Sequence, residues 1–385
     1  MVKRMKQRIY FDHAATTPLD LEVFNKMLPY FCEEFGNPDS PHAVGRKAMN
    51  AVDEARDTVA ALIAAKQNEV YFTSGGTESD NWALYSGAYT AKAKGRTRIL
   101  VSAIEHHAVF ASAERLQKEG FDVVWIPVNE GGRVALSDVE ALLDEHTGLV
   151  AVMAANNETG VLQPVKEIGD LAHEKGALFF TDAVQAAPYM PLNVKDLGVD
   201  MLSFSSHKFY GPKGCGVLYI KGGVKAEGFV VGGEQERGLR GGTVNVPSVV
   251  GLAAAYQKNA ATMSASNEKI RALRDLFLEK ISVLDGVKIN GDLSTALPSV
   301  LNVQFEGVDN ATFLYNMDLN GVSLAAGSAC ASASVKPSHV LTAMGLTEKA
   351  AKSSVRFSFG KNNTEEEILR GAALTVETVQ KLRKF

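Results

Sequence analysis

The 385-residue chain has few cysteines, no long hydrophobic run and no strong excess of charge of one sign. Its cysteines, Cys32, Cys215 and Cys330, are an odd number without C-x-x-C spacing, which argues against a disulfide framework or a structural zinc site and favours a reducing cytoplasm. No apolar run could span a bilayer, and the basic N-terminus lacks the apolar stretch of a signal peptide. A formal charge of −4 gives no general attraction to nucleic acid or to an anionic membrane. We therefore expect a cytoplasmic protein without direct nucleic-acid or membrane partners.

Short apolar runs alternate with helical patterns over about the first two thirds of the chain. Five of these runs are predicted as strands: 69–74, 98–103, 149–155, 177–182 and 201–206. Most of them are continuously apolar, which is typical of strands covered on both faces. The alternation of strands and helices predicts a mostly parallel α/β sheet.

The pattern changes after about residue 255, where helices and strands become segregated. A polar helix is followed by the strand-like run SVLNVQFEGV, a second helix and the run SSVRFSFGK. The last helix is predicted to begin at Thr364, and Glu367 three residues later completes a capping box. We predict a large α/β domain of residues 15–258 and a smaller α+β domain of residues 1–14 and 259–385, with a ligand cleft between them.

Two of the predicted strands are followed by residues that suit ion binding, and ligands gather at the carboxyl ends of strands in open α/β sheets. Gly75 and Gly76 permit close backbone approach, and Thr77 begins a helix whose free N–H groups can hold an anion. On their own, these three residues are better explained as a plain capped helix. Asp182 ends a buried strand, where a carboxylate requires a cation or hydrogen-bond donors, and Gln185 follows three residues later. A helix cap explains Asp182 equally well.

An amine follows the last of the predicted strands. Lys208 comes soon after the run MLSFSS, so its amine should lie at the mouth of the sheet. A partly desolvated lysine has a lowered pKa and can form a Schiff base, although lysines at loop tips are more often solvated. Ser205, Ser206 and His207 add hydrogen-bond donors that suit a phosphate.

Imidazole and amide side chains follow the two remaining strands. Glu105, His106 and His107 are consecutive, and adjacent histidines on an extended segment point to opposite faces and chelate a metal poorly. One of them could stack on a flat ring or move a proton, although a capping or core histidine is the commoner case. Asn156 and Asn157 fit recognition of a carboxylate or a ring oxygen, while a simple turn explains the following Gly160.

These five features are weak alone, but all are predicted at one edge of one sheet. They comprise an anion site, a carboxylate, an amine, an imidazole and amides. An aromatic cofactor with a phosphate, a basic ring nitrogen and an aldehyde would use all of them. Pyridoxal 5'-phosphate is such a cofactor, because it binds through a lysine Schiff base and an acidic partner of its pyridinium nitrogen.

The motifs that carry these residues resemble those of the NifS/IscS-type cysteine desulfurases. They are YFDHAATTP (10–18), FGNPDSPH (35–42), FTSGGTESDN (72–81), EHHAV (105–109), NNETG (156–160), DAVQ (182–185), SSHKFYGPKG (205–214), RGGT (240–243) and GSAC (327–330). They occur in family order over nearly the whole chain. The resemblance implies a class V, fold type I enzyme with a mostly parallel, seven-stranded central sheet.

The resemblance also implies roles for the residues around the cofactor ring. Lys208 would form the Schiff base and later act as the proton-transfer base. Asp182 would keep the pyridine nitrogen protonated, and Gln185 would bond the ring hydroxyl. His106 would stack on the ring and assist proton transfer.

Further residues would hold the phosphate and the substrate. The phosphate would be bound by Gly76, Thr77, Ser205, His207 and, from the neighbouring subunit of a homodimer, Thr243. Asn157, beside the cofactor, and Arg356 would bind the substrate carboxylate. An exposed charge at a strand edge is the alternative interpretation of Arg356.

The resemblance makes Cys330 the residue that accepts sulfur. Its thiolate would attack the sulfur of L-cysteine, giving alanine and a persulfide that passes to an acceptor protein for iron–sulfur cluster, thio-cofactor or tRNA synthesis. The run LAAGSACASASV (324–335) is predicted to be a mobile tether, because its residues are small. No resident metal is expected, and only Cys330 is considered as a transient iron–sulfur ligand. Cys32 and Cys215, the latter before an apolar strand, are expected to be packing residues.

Three alternatives stay open. A class V aminotransferase would need no loop cysteine, so Cys330 counts against it. A selenocysteine lyase is compatible with the same residues. A sulfur carrier that has lost its cofactor would have no use for Lys208, Asp182 and His106.

Overall fold

A seven-stranded sheet forms the centre of the fold in a computed structural model that describes residues 8–327 and 337–384. Its strands are β2 (Val70–Thr73), β3 (Arg98–Ser102), β4 (Asp122–Ile126), β5 (Thr147–Ala151), β6 (Leu178–Asp182), β7 (Met201–Ser205) and β8 (Gly216–Ile220). They are ordered β2-β8-β7-β6-β5-β3-β4. Strand β8 is antiparallel to both neighbours, and the other pairs are parallel. The predicted mostly parallel sheet of seven strands is therefore confirmed.

The five strands predicted from apolar runs are all present, with small shifts at their ends. The largest shift concerns β5, which begins two residues before the predicted run 149–155 and ends at Ala151. Strands β2, β5, β7 and β8 are buried along their whole length, which explains their continuous apolar pattern. Strand β4 is not among the predicted runs, because it lies at the sheet edge and is partly exposed.

Helices cover both faces of the central sheet. The helices of the chain are α1 (Leu21–Met27), α2 (Pro29–Cys32), α3 (Ala43–Leu62), α4 (Gly76–Lys92), α5 (His107–Lys118), α6 (Leu136–Leu142), α7 (Val165–Glu174), α8 (Val194–Leu197), α9 (Val246–Ile281), α10 (Asn310–Leu319), α11 (His339–Ala343), α12 (Glu348–Ala351) and α13 (Glu365–Leu382). Helices α4 and α5 share one apolar core with the sheet, and α3, α7 and the first half of α9 share the core on the opposite face. In the described part of the chain, no helix has both the length and the apolar character that crossing a membrane requires.

A second, antiparallel sheet lies in the C-terminal part. It contains β9 (Val287–Ile289), β10 (Val300–Phe305) and β12 (Ser354–Ser358), ordered β12-β10-β9. Strand β11 (Val322–Ser323) pairs in parallel with β1 (Ile9–Tyr10). The three-stranded sheet packs on α10, α13 and the second half of α9. The buried rings of Phe277, Phe305, Phe313 and Phe357 lie in this core. The capping box predicted at Thr364 and Glu367 is present.

Helix α9 connects the two cores. It begins after Asn245, whose side chain accepts a hydrogen bond from the N–H of Ser248, and it runs for 36 residues. Its first half packs in the core of the central sheet, and its second half packs in the core of the C-terminal sheet. The helix therefore passes unbroken through residue 258, and the division into domains of residues 15–258 and 1–14 plus 259–385 stays a prediction.

The two cysteines within the described residues have different environments. Cys215 is 2% exposed, and burial raises the pKa of its thiol to about 12, as expected of a packing residue. Cys32 is exposed, so the expectation that it packs in the core is wrong. The reason is that α2 is a four-residue helix with no buried residue.

Candidate active site

The turn between β2 and α4 forms an anion-binding end of the helix. Gly75 has a φ of +152°, a conformation that only glycine adopts readily. A Cβ at Gly76 would lie 2.8 Å from Cγ2 of Val184, so this position also requires glycine. Among the described residues, no acceptor is found for the backbone N–H groups of residues 76–78. These groups and the helix dipole can therefore hold an anion.

Strand β7 leads into a single turn of 3₁₀ helix (Ser206–Lys208) that carries the predicted amine. The Nζ atom of Lys208 donates to the carbonyl oxygens of Ala14, at 2.6 Å, and Ala15, at 2.9 Å. His207 Nδ1 lies 3.1 Å from Oγ1 of Thr16. Burial, followed by the charge of Lys208, lowers the pKa of His207 to about 3. His207 is therefore neutral near pH 7 and can contribute a hydrogen bond but no charge.

Two buried carboxyl groups line the same cleft as this amine. Asp182 at the end of β6 is 4% exposed, and its Oδ1 accepts from the N–H of Val184 at 2.8 Å. Burial raises the pKa of Asp182 to about 6, although that hydrogen bond and the charge of Lys208 oppose the shift. Asp80 of α4 is 1% exposed and accepts from the hydroxyl of Ser203. Burial and the nearby charge of Asp182 raise the pKa of Asp80 well above its usual value. A cation close to these two carboxyl groups would therefore be stabilised.

The side chain of His106 faces the same space. Its Nδ1 accepts from the N–H of Ala108 at 3.2 Å and caps α5, so the neutral ring carries its proton on Nε2. Burial, followed by the charge of Lys208, lowers the pKa of His106 to about 4. His107 is exposed, and its ring lies 4.7 Å from the ring of His339. The two adjacent histidines therefore point in different directions, as the sequence indicates.

The substrate residues inferred from the resemblance lie opposite the sheet. Arg356 in β12 is 1% exposed, so its interpretation as an exposed strand-edge charge is wrong. Its Nη1 donates to the carbonyl oxygen of Asn157, and its Nη2 donates to Oδ1 of Asp12, each at 2.8 Å. Its Nε is buried without an acceptor among the described residues. Asn156 has a different use, because its Oδ1 accepts from the N–H groups of residues 158 and 159 and stabilises the turn.

One cleft at the carboxyl edge of the sheet contains most of the predicted residues. It is lined by Gly76, Thr77, His106, Asn157, Asp182, Gln185, Ser205, His207, Lys208 and Arg356. Thr243 is not among the lining residues in the described part of its own chain, which leaves its role in a neighbouring subunit a prediction. Cys330 lies in residues 328–336, outside the described residues.

Several functional groups of the cleft have no prediction from the sequence. Asp12, Ala14 and Ala15 occur in YFDHAATTP, a motif that contributes to the resemblance but implies no role for these three residues. Asp80 is a charged residue on an otherwise apolar, buried face of α4, and this is the signal by which it could have been found. The carbonyl oxygens of Ala14 and Ala15 have no such signal, because every residue carries one.

The residues of the cleft fit pyridoxal phosphate. The anion-binding end of α4 suits a phosphate, and the buried Asp182 suits a protonated ring nitrogen. Lys208 supplies an amine for an aldehyde, and Arg356 supplies a guanidinium for a carboxylate. The central sheet, with its one antiparallel strand, and this cleft define an α/β enzyme of fold type I.

Comparisons with known proteins identify the family. The profile described as aminotransferase class-V matches residues 9–370. Cysteine desulfurase IscS of Clostridium botulinum is 46% identical over 367 residues, covering 94% of this chain and 92% of that protein. A solved NifS-like protein is 37% identical with a TM-score of 0.91, covering 97% of this chain and 100% of the other. SspA, solved in complex with cysteine, is 34% identical with a TM-score of 0.81, covering 92% and 99%. The chain belongs to the class-V aminotransferase family and, within it, to the NifS/IscS-type cysteine desulfurases.

Proposed function

We propose that the protein is a pyridoxal-phosphate-dependent cysteine desulfurase, which takes sulfur from L-cysteine and releases alanine. The observation that carries the proposal is the meeting, in one cleft, of the Lys208 amine, the buried Asp182 carboxyl and the Arg356 guanidinium. When bound, the cofactor supplies an aldehyde that bonds to amines and a ring that accepts an electron pair from the substrate α-carbon. The relatives named cysteine desulfurase, and SspA with its bound cysteine, support this choice of substrate.

Residues of the central sheet would hold the cofactor. The N–H groups at the start of α4, with Ser205 and His207, would bind the phosphate. Asp182 would pair with the ring nitrogen, and Gln185 would bond the ring hydroxyl. Thr243 of a neighbouring subunit would complete the phosphate site in a homodimer.

Lys208 would move the proton of the substrate α-carbon. Its Nζ is oriented by the carbonyl oxygens of Ala14 and Ala15, which hold the amine over the cleft. His106, neutral and with its proton on Nε2, can stack on the flat cofactor and donate a hydrogen bond. His106 is therefore neutral near pH 7 and can assist the proton transfer that Lys208 would carry out.

Arg356 would fix the substrate carboxylate. Its two Nη bonds, to Asn157 and Asp12, hold the guanidinium in place at the lining of the cleft. The N–H groups that these bonds leave unused can donate to a carboxylate. An amino acid held there has its α-carbon within the cleft that also contains Lys208.

The sulfur step would belong to Cys330, which lies outside the described residues. A bond forms between its Sγ and the substrate sulfur while the substrate Cβ–S bond breaks, and the electron pair of that bond stays on the carbon. Protonation then gives alanine, so the step needs no external oxidant or reductant. The persulfide would pass to an acceptor protein in the cytoplasm, for iron–sulfur cluster or thio-cofactor synthesis.

The test is the production of alanine and sulfide from L-cysteine by the protein loaded with pyridoxal phosphate. Equal amounts of both are expected in the presence of a thiol reductant, and the activity should be lost in Cys330→Ala. Cys32→Ala is the matched control, because Cys32 is exposed and outside the cleft, and it should keep wild-type activity. Lys208→Ala should no longer be labelled with cofactor after borohydride treatment. Wild-type turnover by Cys330→Ala would refute the proposed role of this cysteine. Faster release of alanine from selenocysteine without sulfide from cysteine would favour the lyase alternative.

A further inference from the structure

One buried carboxylate contacts both ends of the segment 328–336. Glu158 is 1% exposed, and its Oε2 accepts a hydrogen bond from the hydroxyl of Ser338 at 2.6 Å. Gly327 lies against the same oxygen so closely that a Cβ at Gly327 would be 2.8 Å from it. Residues separated by eleven positions are therefore brought to one atom.

The carboxylate of Glu158 is presented by a rigid turn. The N–H of Glu158 donates to Oδ1 of Asn156 at 2.9 Å, and its carbonyl oxygen accepts from Nδ2 of Asn302 at 3.1 Å. The preceding residue, Asn157, lines the cleft, and its carbonyl oxygen accepts from Arg356. Any group held by Glu158 is therefore held at a fixed place relative to the substrate residues.

Each end of the segment has a second attachment beside the cleft. On one side, the N–H of Arg356 donates to the carbonyl oxygen of Ala325 at 2.8 Å. On the other side, Nε2 of His339 lies 2.9 Å from the carbonyl oxygen of Glu105, which precedes His106 in the chain. The Ser338 hydroxyl also accepts from the N–H of Leu341 and caps α11. The two ends are thus attached next to residues that line the cleft.

We propose that Glu158 is a positioning residue for sulfur transfer, which fixes Gly327 and Ser338, the described residues on the two sides of the segment that contains Cys330. This inference rests on the proposed function. A bond from a hydroxyl to a buried carboxylate is charge-assisted and defines a short distance. Misplacement of a reacting group by about 1 Å can lower the reaction rate on the order of 100-fold. Glu158 is not among the described residues that line the cleft, so it would act only through the two ends.

The experiment separates the first sulfur transfer from substrate binding. Loaded protein is mixed with L-cysteine without a reductant or acceptor, and the rate of the first equivalent of alanine is measured. The concentration dependence of the cofactor absorbance change reports cysteine binding. Glu158→Ala should lower the alanine rate at least about 10-fold. The half-saturating cysteine concentration should change less than two-fold.

Three further variants address the shared contact. Ser338→Ala should slow the same step, while Ser338→Thr keeps the hydroxyl and should restore most of the rate. The double variant of Glu158→Ala and Ser338→Ala should be no slower than the slower single variant, because both remove one contact. If Glu158→Ala does not fold, the comparison of Ser338→Ala with Ser338→Thr still tests the inference.

Three results would overturn the inference. The first is a rate in Glu158→Ala within two-fold of wild type. The second is a lower rate accompanied by an equal loss of cysteine binding, which would indicate a general disturbance of the cleft. The third is full additivity of the two substitutions. A wild-type protein that forms no alanine would instead refute the proposed function, and the inference with it.

Discussion

Replacement of Arg356 by lysine tests the binding of the substrate carboxylate. The substitution keeps a positive charge but removes the planar guanidinium, and a lysine amine cannot reach Asn157, Asp12 and the cleft together. The bond lost to the substrate is one N–H to a carboxylate in a buried site. Hydrogen bonds to charged groups contribute about 1.5–3 kcal/mol. At about 1.4 kcal/mol for each factor of ten, the KM for L-cysteine should rise roughly 10- to 150-fold.

The assay is steady-state alanine formation with the cofactor content of each preparation measured by absorbance. Asp12→Asn is the matched control, because it keeps Arg356 and weakens only the bond that orients Nη2. Its effect on KM should be smaller than that of Arg356→Lys. Cofactor content should be unchanged in both variants, since neither residue is part of the phosphate or ring site. A KM for Arg356→Lys within two-fold of wild type would refute the assignment of Arg356 to the substrate carboxylate.

Three further predictions concern a buried carboxyl group, the turn before α4 and the accessibility of two cysteines. Glu105 is fully buried with a pKa raised by burial to about 8 from 4.5, so its folded form keeps a proton that the unfolded chain releases. The stability of wild type relative to Glu105→Gln should therefore be highest below pH 4.5 and fall by about 1.4 kcal/mol per pH unit up to about pH 8 in denaturant titrations, and a flat difference would contradict this pKa. Gly76→Ala places a Cβ 2.8 Å from Val184, so titration should show at least about 10-fold weaker cofactor binding, while unchanged binding would argue against a phosphate at this turn. A thiol reagent should label Cys32 in the folded protein and Cys215 only after unfolding, and rapid labelling of Cys215 in the folded state would disprove its burial.

The cleft could be predicted because its residues follow buried parallel strands. Asp182 and Lys208 each come at or soon after a run of continuously apolar residues, and this local pattern identifies a strand covered on both faces. Parallel strands bring their carboxyl ends to one edge, so sequence order alone places these residues together. The pattern indicates which residues share this edge of the sheet. The individual roles of these residues rest on the resemblance and stay predictions.

The long-range contacts of the cleft could not be predicted from local patterns. Lys208 is oriented by carbonyl oxygens 194 and 193 positions earlier in the chain, and Arg356 pairs with a carboxylate 344 positions away. Such pairings depend on how the two sheets pack, which short apolar runs do not encode. Helix α9 shows the same limit, since a change of pattern near residue 255 suggests a boundary where the helix continues.

The strand β12 connects substrate binding with the attachment of the segment that contains Cys330. Arg356 lines the cleft, and its backbone N–H and carbonyl group pair with Ala325, two residues before Gly327. On the facing turn, Asn157 receives the guanidinium while Glu158 receives Ser338. Adjacent residues of one turn and a single residue of one strand thus serve both the substrate and the ends of the segment. A displacement of β12 would therefore move Arg356 and the attachment at Ala325 together, while the attachment of Ser338 stays with the turn that carries Glu158. The cofactor residues on the central sheet lie outside this coupling, so cofactor binding can be retained in variants that lose sulfur transfer.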